Sequence, residues 1–119
     1  MATHEDVRDS PPLPAATLHI LLALAAEDRH GYAIMGEVAR QTGGRLRLSA
    51  GTLYRSLQRM LEQGLVEEVS TRPAPDLDDQ RRRYYRITRE GRAAVRAEAM
   101  RLAELVRLAR AQGLAGARP

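Results

Sequence analysis

At 119 residues the chain is long enough for one core and too short for two domains. Nineteen basic residues against 15 acidic ones leave a net charge of +4, and every basic residue is arginine, so the positive charge does not titrate away near neutral pH. The absence of Cys excludes disulfides, thiolate metal sites and thiol redox chemistry and fits the cell interior, while the absence of Trp and Phe leaves four Tyr, too few for a single-strand stacking platform.

Residues 1–14, with Pro11, Pro12 and Pro14, read as a flexible N-terminal arm. Glu5, Asp6 and Asp9 against Arg8 give that arm the wrong charge for a secretory leader. The apolar run Leu18 to Ala26 is too short to span a bilayer. It predicts a first helix over Ala15–Ala26, apolar almost all round and therefore central in the core. Glu27 to Gly31 reads as a turn, and a second helix is expected from about Tyr32 to Thr42, with Ile34, Met35 and Val38 inward and Gly43-Gly44 as its stop.

A third helix starts at Ser49, whose hydroxyl suits the free amides of a first turn. Leu53, Leu57, Met60 and Leu61 recur at helical spacing on one side, and Thr52, Arg55, Ser56, Arg59 and Gln63 fall on the other. Gly64 is its stop. Leu65–Arg72 and Arg81–Thr88 read as two strands joined by a Pro- and Asp-rich loop, with Tyr85 and Ile87 on one face and Tyr84 and Arg86 on the other. Thr88 caps a last helix reaching about Gln112, and residues 113–119 are expected to be a disordered tail.

The order helix–helix–helix–strand–loop–strand is mainly α with a small β-hairpin wing. It predicts a winged helix-turn-helix domain over residues 15–88 with a long C-terminal helix over 89–112. On that last helix Val95, Leu102, Leu105, Val106 and Ala109 lie on a stripe wider than one small domain needs. The surplus predicts a homodimer interface, with Glu98 inside the stripe and in need of a partner, Arg101 being the nearest.

Between Glu37 and Glu62 the chain has no acidic residue but carries Arg40, Arg45, Arg47, Arg55 and Arg59. Phosphates attract such arginines, and base edges need forked donors, so the third helix fits the major groove of DNA. Arg55, Ser56 and Arg59 are the expected base-edge readers, with Thr52 near the groove, and Ser49, Gly51, Tyr54 and Tyr32 set the backbone. Arg81 and Arg82 belong to the densest basic run and are expected on phosphate. His30 reads as an ordinary turn histidine, because His4 and His19 are remote and no metal-ligand spacing appears. With no nucleophile–base pairing and no glycine-rich phosphate loop, the sequence points away from an enzyme, and neither cofactor nor metal is expected. The rival readings are a winged helix used for protein–protein contact, without sequence-specific DNA binding, and an RNA binder.

The motifs resemble those of the PadR family of bacterial transcription regulators in its small form, with a single C-terminal helix. The resemblance rests on His30-Gly31-Tyr32, on Ser49-x-Gly51-Thr52-Leu53-Tyr54-x-x-Leu57-x-Arg59, on Gly64-Leu65-Val66, on Arg82-Arg83-Tyr84-Tyr85-Arg86-Ile87-Thr88 and on Glu90-Gly91. It implies a cytoplasmic homodimer held by the C-terminal helices. It further implies a repressor with one recognition helix per half-site of a palindromic double-stranded DNA operator, released by a small aromatic or drug-like effector. The chain departs from the family pattern with Arg55 where Pro is frequent, with Leu61 where an acid is frequent, and with an acidic wing tip at Asp76, Asp78 and Asp79.

Overall fold

In the computed structural model, residues 12–69 and 83–116 are described. Among them the helices are α1 (Ala15–Ala26), α2 (Gly31–Gln41), α3 (Ala50–Glu62) and α4 (Arg89–Ala111). The strands are β1 (Arg29–His30), β2 (Val66–Val69) and β3 (Tyr84–Ile87), arranged as an antiparallel sheet in the order β1-β3-β2. The expected wing tip, with Asp76, Asp78 and Asp79, and the basic residues Arg81 and Arg82 lie outside the described residues, as does most of the N-terminal arm.

A helix without a polar side can satisfy its surface only from within, and α1 is placed accordingly. Ile20, Leu21, Ala23 and Leu24 are all buried, and α2, α3 and α4 pack around the helix. Against it α2 turns Ile34 and Val38, α3 turns Leu53, Leu57 and Met60, and the sheet turns Val66, Tyr85 and Ile87. Fully burying an aliphatic side chain of this size stabilises by about 1.5–3 kcal/mol, so a dozen such residues account for a single cooperative core.

The segment read as a turn before α2 is partly a strand. Arg29 pairs with Tyr85 and His30 with Tyr84 across the edge of β3. Two residues carry no periodicity of their own, so only the unpaired edge of β3 makes a strand of them. Arg29 Nε also donates to the Ala23 carbonyl at 2.6 Å, closing the end of α1. In consequence α2 begins at Gly31 rather than Tyr32, and His30 is its cap, with Nδ1 accepting from the Ala33 amide at 3.2 Å.

The last helix is fastened where α3 ends. The Thr88 hydroxyl accepts from the Gly91 amide at 2.9 Å and donates to the Gly64 carbonyl at 2.6 Å, while the Thr88 amide donates to Leu65 O at 3.1 Å. Gly91 is buried against Leu65, and a Cβ there would run into the Leu65 carbonyl oxygen and stand 2.8 Å from Ile87 Cγ1. At the other end, the amides of Gly113 and Leu114 donate to Arg110 O and Ala109 O, and Gly113 takes φ +74°, so the first residues of the span expected as a disordered tail are bonded back onto the end of α4.

Two residues expected at the interface between chains are engaged within their own chain. Val95 packs against the core, and Glu98 is 5 % exposed. The Glu98 carboxylate accepts both Arg101 donors, Nε at 3.2 Å and Nη2 on the second oxygen, and also the Leu13 amide at 3.3 Å. The expected flexible arm therefore ends short of Pro14. Leu13 packs on the core, and its amide is one of the donors that make a buried carboxylate tolerable. Beyond Glu98 the stripe opens outward, with Leu102, Leu105, Val106 and Leu108 between 36 and 48 % exposed.

The Arg101 guanidinium holds the Glu98 carboxyl below its usual value of 4.5, burial works the other way, and the Leu13 amide lowers it further. A depressed carboxylate pKa adds stability that is complete above the ordinary value and disappears as pH falls through the lowered one. Glu98→Gln should therefore reduce the melting temperature at neutral pH and leave the variant less acid-sensitive than wild type below about pH 4.5. Thermal melts across pH 2.5–7 check this; parallel curves for the two proteins would refute it.

Candidate nucleic-acid interface

Of the residues expected to face DNA, Gly51, Thr52, Tyr54, Arg55, Ser56 and Arg59 lie on α3, Ser49 is its cap, and Tyr32 lies on the first turn of α2. Ser49 caps α3 with its hydroxyl accepting from the Thr52 amide at 3.1 Å, and it donates to the Thr52 hydroxyl at 3.1 Å. A cap of this kind contributes about 1 kcal/mol. It also fixes the first turn, in which Gly51 is exposed and Thr52 half-buried. Because Leu53, Leu57 and Met60 turn inward, Arg55 and Arg59 are exposed on the outer side, with Ser56 half-buried between them. The Arg55 guanidinium folds back along α3, where a Cβ on Gly51 would meet its Nη1 at 3.6 Å, an ordinary contact. Gly51 is thus not required by packing within the chain. What its bare Cα offers is an open first turn to which another molecule can approach closely.

The described arginines divide into those with a carboxylate partner and those without. Arg40 is held by Glu37, Arg86 by Asp28 at 2.9 Å, Arg101 by Glu98 and Arg107 by Glu104 at 2.7 Å. In each of these pairs the carboxylate raises the arginine's pKa. Among the described residues, Arg89, Arg92, Arg96 and Arg110 of α4 have no carboxylate partner, and neither do the four arginines around α3, Arg45, Arg47, Arg55 and Arg59. The sequence already held the signal, since all four lie in the acid-free stretch. Arg45 and Arg47, which were not singled out as site residues, are exposed in the segment that leads into α3.

Tyr32 stands 52 % exposed on the first turn of α2. Tyr54 is half-buried against the core, and its hydroxyl is turned onto Gly31 at the start of α2. Along the flank of α3 that faces the hairpin runs a cleft of about 260 Å³, lined by Tyr54, Gln58, Leu61, Glu68, Arg83 and Tyr85. Arg83 pairs with Glu68 at 3.3 Å across its outer wall. Burial, and after it the Glu68 charge, push the Tyr85 phenol above its usual 10.0, so it stays a protonated donor. His30 and Tyr84 meet edge to face at 5.4 Å, which ties the cap of α2 to the return strand. The described residues hold no cluster of His, Asp or Glu able to bind a metal ion, and no described helix is long and apolar enough to cross a membrane. Arg81 and Arg82 lie outside the described residues.

This arrangement of three helices, a hairpin and an outward arginine row has relatives. The model of the Transcriptional regulator PadR-like family matches residues 20–97. A curated transcriptional regulator of Mycobacterium tuberculosis is 39 % identical over 93 residues, covering 78 % of this chain and 80 % of its own. Among solved structures, a PadR family transcription regulator from Clostridium difficile superposes with a TM-score of 0.66 at 25 % identity, over 86 % of this chain and 100 % of that one. Bacillus subtilis PadR, solved in complex with operator DNA, superposes with a TM-score of 0.59 at 18 % identity, over 70 % of this chain and 46 % of its own, and so shares the fold. The matched span takes in the core, the capped α3 and the start of α4, and the chain belongs to the PadR-like family of transcriptional regulators.

Proposed function

We propose that the chain is a cytoplasmic repressor that binds a palindromic DNA operator as a homodimer, with α3 reading one half-site per subunit. One observation carries this reading: α3 presents arginines without carboxylate partners on the face opposite its core residues, next to a capped first turn with free amides. Arg55, Ser56 and Arg59 read base edges, Thr52 sits at the groove, and Ser49, Gly51, Tyr54 and Tyr32 set the phosphate backbone. Arg45 and Arg47 add charge at the approach to the groove. Arg81 and Arg82, which precede β3 in the sequence, are further phosphate contacts in this reading. Relatives that regulate transcription, one of them solved with operator DNA, support this assignment. A protein-docking use of α3 has no support on this face, because none of the exposed large apolar residues belongs to α3.

The second subunit belongs on the outer half of α4. Leu102, Leu105, Val106 and Leu108 are partly exposed there, and Leu22 of α1 is exposed as well. A row of this kind on a helix calls for an apolar partner, and a second copy of the same row supplies one. A small aromatic or drug-like effector would rest between Leu102, Leu105 and α1, with Met100 at the edge. With no Trp and no Phe in the chain, the pocket has aliphatic walls only, and planar aromatics have nothing to stack on.

Three outcomes are expected. Binding to duplex DNA falls with salt, each neutralised phosphate contributing about 0.9 to the slope of log K against log salt. In the same titration Arg55→Ala or Arg59→Ala costs about 1–3 kcal/mol on a preferred site. Affinity that ignores salt would remove the DNA reading. Leu102→Asp yields a monomer in sedimentation velocity and loses operator binding with it; a variant that still sediments as a dimer would place the interface elsewhere. A panel of planar aromatic drugs binds weakly in calorimetry, and tight binding across the panel would contradict the aliphatic pocket.

A further inference from the structure

Two glycines lie in α2, and the structure treats them in opposite ways. Gly36 is exposed, and a Cβ there would meet nothing within 4 Å. Gly31 is buried on the first turn, and the Tyr54 side chain of α3 lies directly across its Cα. A Cβ on Gly31 would overlap the Tyr54 hydroxyl oxygen outright, standing 2.8 Å from Tyr54 Cζ and 3.4 Å from Leu53 Cδ2. Backbone freedom does not explain this glycine, since the positive-φ glycines are Gly43, Gly44, Gly64 and Gly113. Space explains it. Nor can the obstructing ring swing aside as a lysine tip would: it packs against the core, and it shares the cleft beside α3 with Tyr85 and Leu57.

We propose that Gly31 is a positioning residue for DNA reading: its bare Cα is the seat of the Tyr54 ring, and that seat sets the depth and rotation at which α3 presents Arg55, Ser56 and Arg59. Tyr54 immediately precedes Arg55, so a ring lifted off its seat turns or translates the first two turns of α3 with it. Binding geometry of this kind tolerates errors of about 0.5 Å and 10–20°, less than one methyl group demands. The inference rests on the reading of α3 as the DNA-contacting helix. It separates two roles on that helix: arginines that touch DNA, and a tyrosine–glycine contact that aims them.

The test uses the full chain and a labelled duplex selected by the wild-type protein from a random-sequence pool, with unselected duplex as the second probe. Gly31→Ala should lose about tenfold or more on the selected duplex, the worth of one specific base contact, and stay within about twofold of wild type on unselected duplex. Gly36→Ala, the same change in the same helix, should match wild type on both. In a Tyr54→Leu background, which removes both the overlapping oxygen and the ring carbon beneath it, the further loss caused by Gly31→Ala should shrink by about threefold or more. Equal losses in the two backgrounds, or unchanged selected-duplex affinity for Gly31→Ala, would overturn the seat. If Gly31→Ala does not fold, recovery of folding in the double variant supports the contact and continued unfolding refutes it. A wild-type chain that enriches no duplex at all sinks the DNA reading itself, an outcome visible before any variant is made.

Discussion

Everything in this molecule is arranged around a helix that has no polar side. α2, α3, α4 and the sheet each give α1 a face, which leaves Leu22 as its exposed large apolar residue. Their remaining faces are then free to be polar without any conflict with folding. On α3 the inward face is Leu53, Leu57 and Met60, and all that the core asks of the outward face is that it not be apolar. Arginines there cost the fold nothing, so the chemistry of that face can be set by an external partner. The absence of Trp and Phe fits the same plan, since a core built around one narrow aliphatic helix is filled by Ile, Leu, Val and Met, with Tyr85 at its margin.

Charge is partitioned along the same lines. Several arginines that tie the structure together have a carboxylate close by: Asp28 with Arg86 across 58 residues of sequence, and the buried Glu98 with the exposed Arg101 on α4. These pairs bring the local field near neutrality. Around α3 the sequence withholds the carboxylates, so the guanidinium field there extends into solvent over about a Debye length, roughly 8–10 Å at ordinary salt. A net charge of +4 understates this, because the 15 acidic residues that offset the arginines are absent from the stretch between Glu37 and Glu62.

Most of the fold was legible in the sequence because its signals are local. Ser49 and Thr88 cap the helices expected of them, Gly43, Gly44 and Gly64 take the positive φ that ends a helix, and the alternation of Tyr84, Tyr85, Arg86 and Ile87 gives the correct inner face of β3. What the sequence hid depends on distant partners. Arg29-His30 is a strand only because β3 has a free edge. Glu98 pointed to a pairing problem, and Arg101 was its visible answer, but no pattern in the sequence announces that the Leu13 amide would close the other side. The same holds for the proposed recognition face: its arginines can be read from the acid-free stretch, whereas the glycine beneath Tyr54 is silent until the two helices are docked.

The junction at the end of α3 shows how the two halves of the chain are linked mechanically. Leu65 donates to Met60 O and so closes the last turn of α3, and the carbonyls of Gly64 and Leu65 accept from the Thr88 hydroxyl and amide that start α4. Gly91 presses its Cα onto the Leu65 carbonyl, leaving no room for a side chain to act as a cushion. Two helices that share a turn in this way move as one body, since altering the angle between them breaks hydrogen bonds instead of merely sliding side chains. In the proposed dimer the position of α3 relative to the second subunit would follow the crossing of the two α4 helices, and a ligand that changed that crossing would change the distance between the two α3 faces. In a domain whose core is continuous from α1 to β3, this junction joins α4, with its apolar outer half, to the arginine-bearing α3 through backbone hydrogen bonds and a close glycine contact.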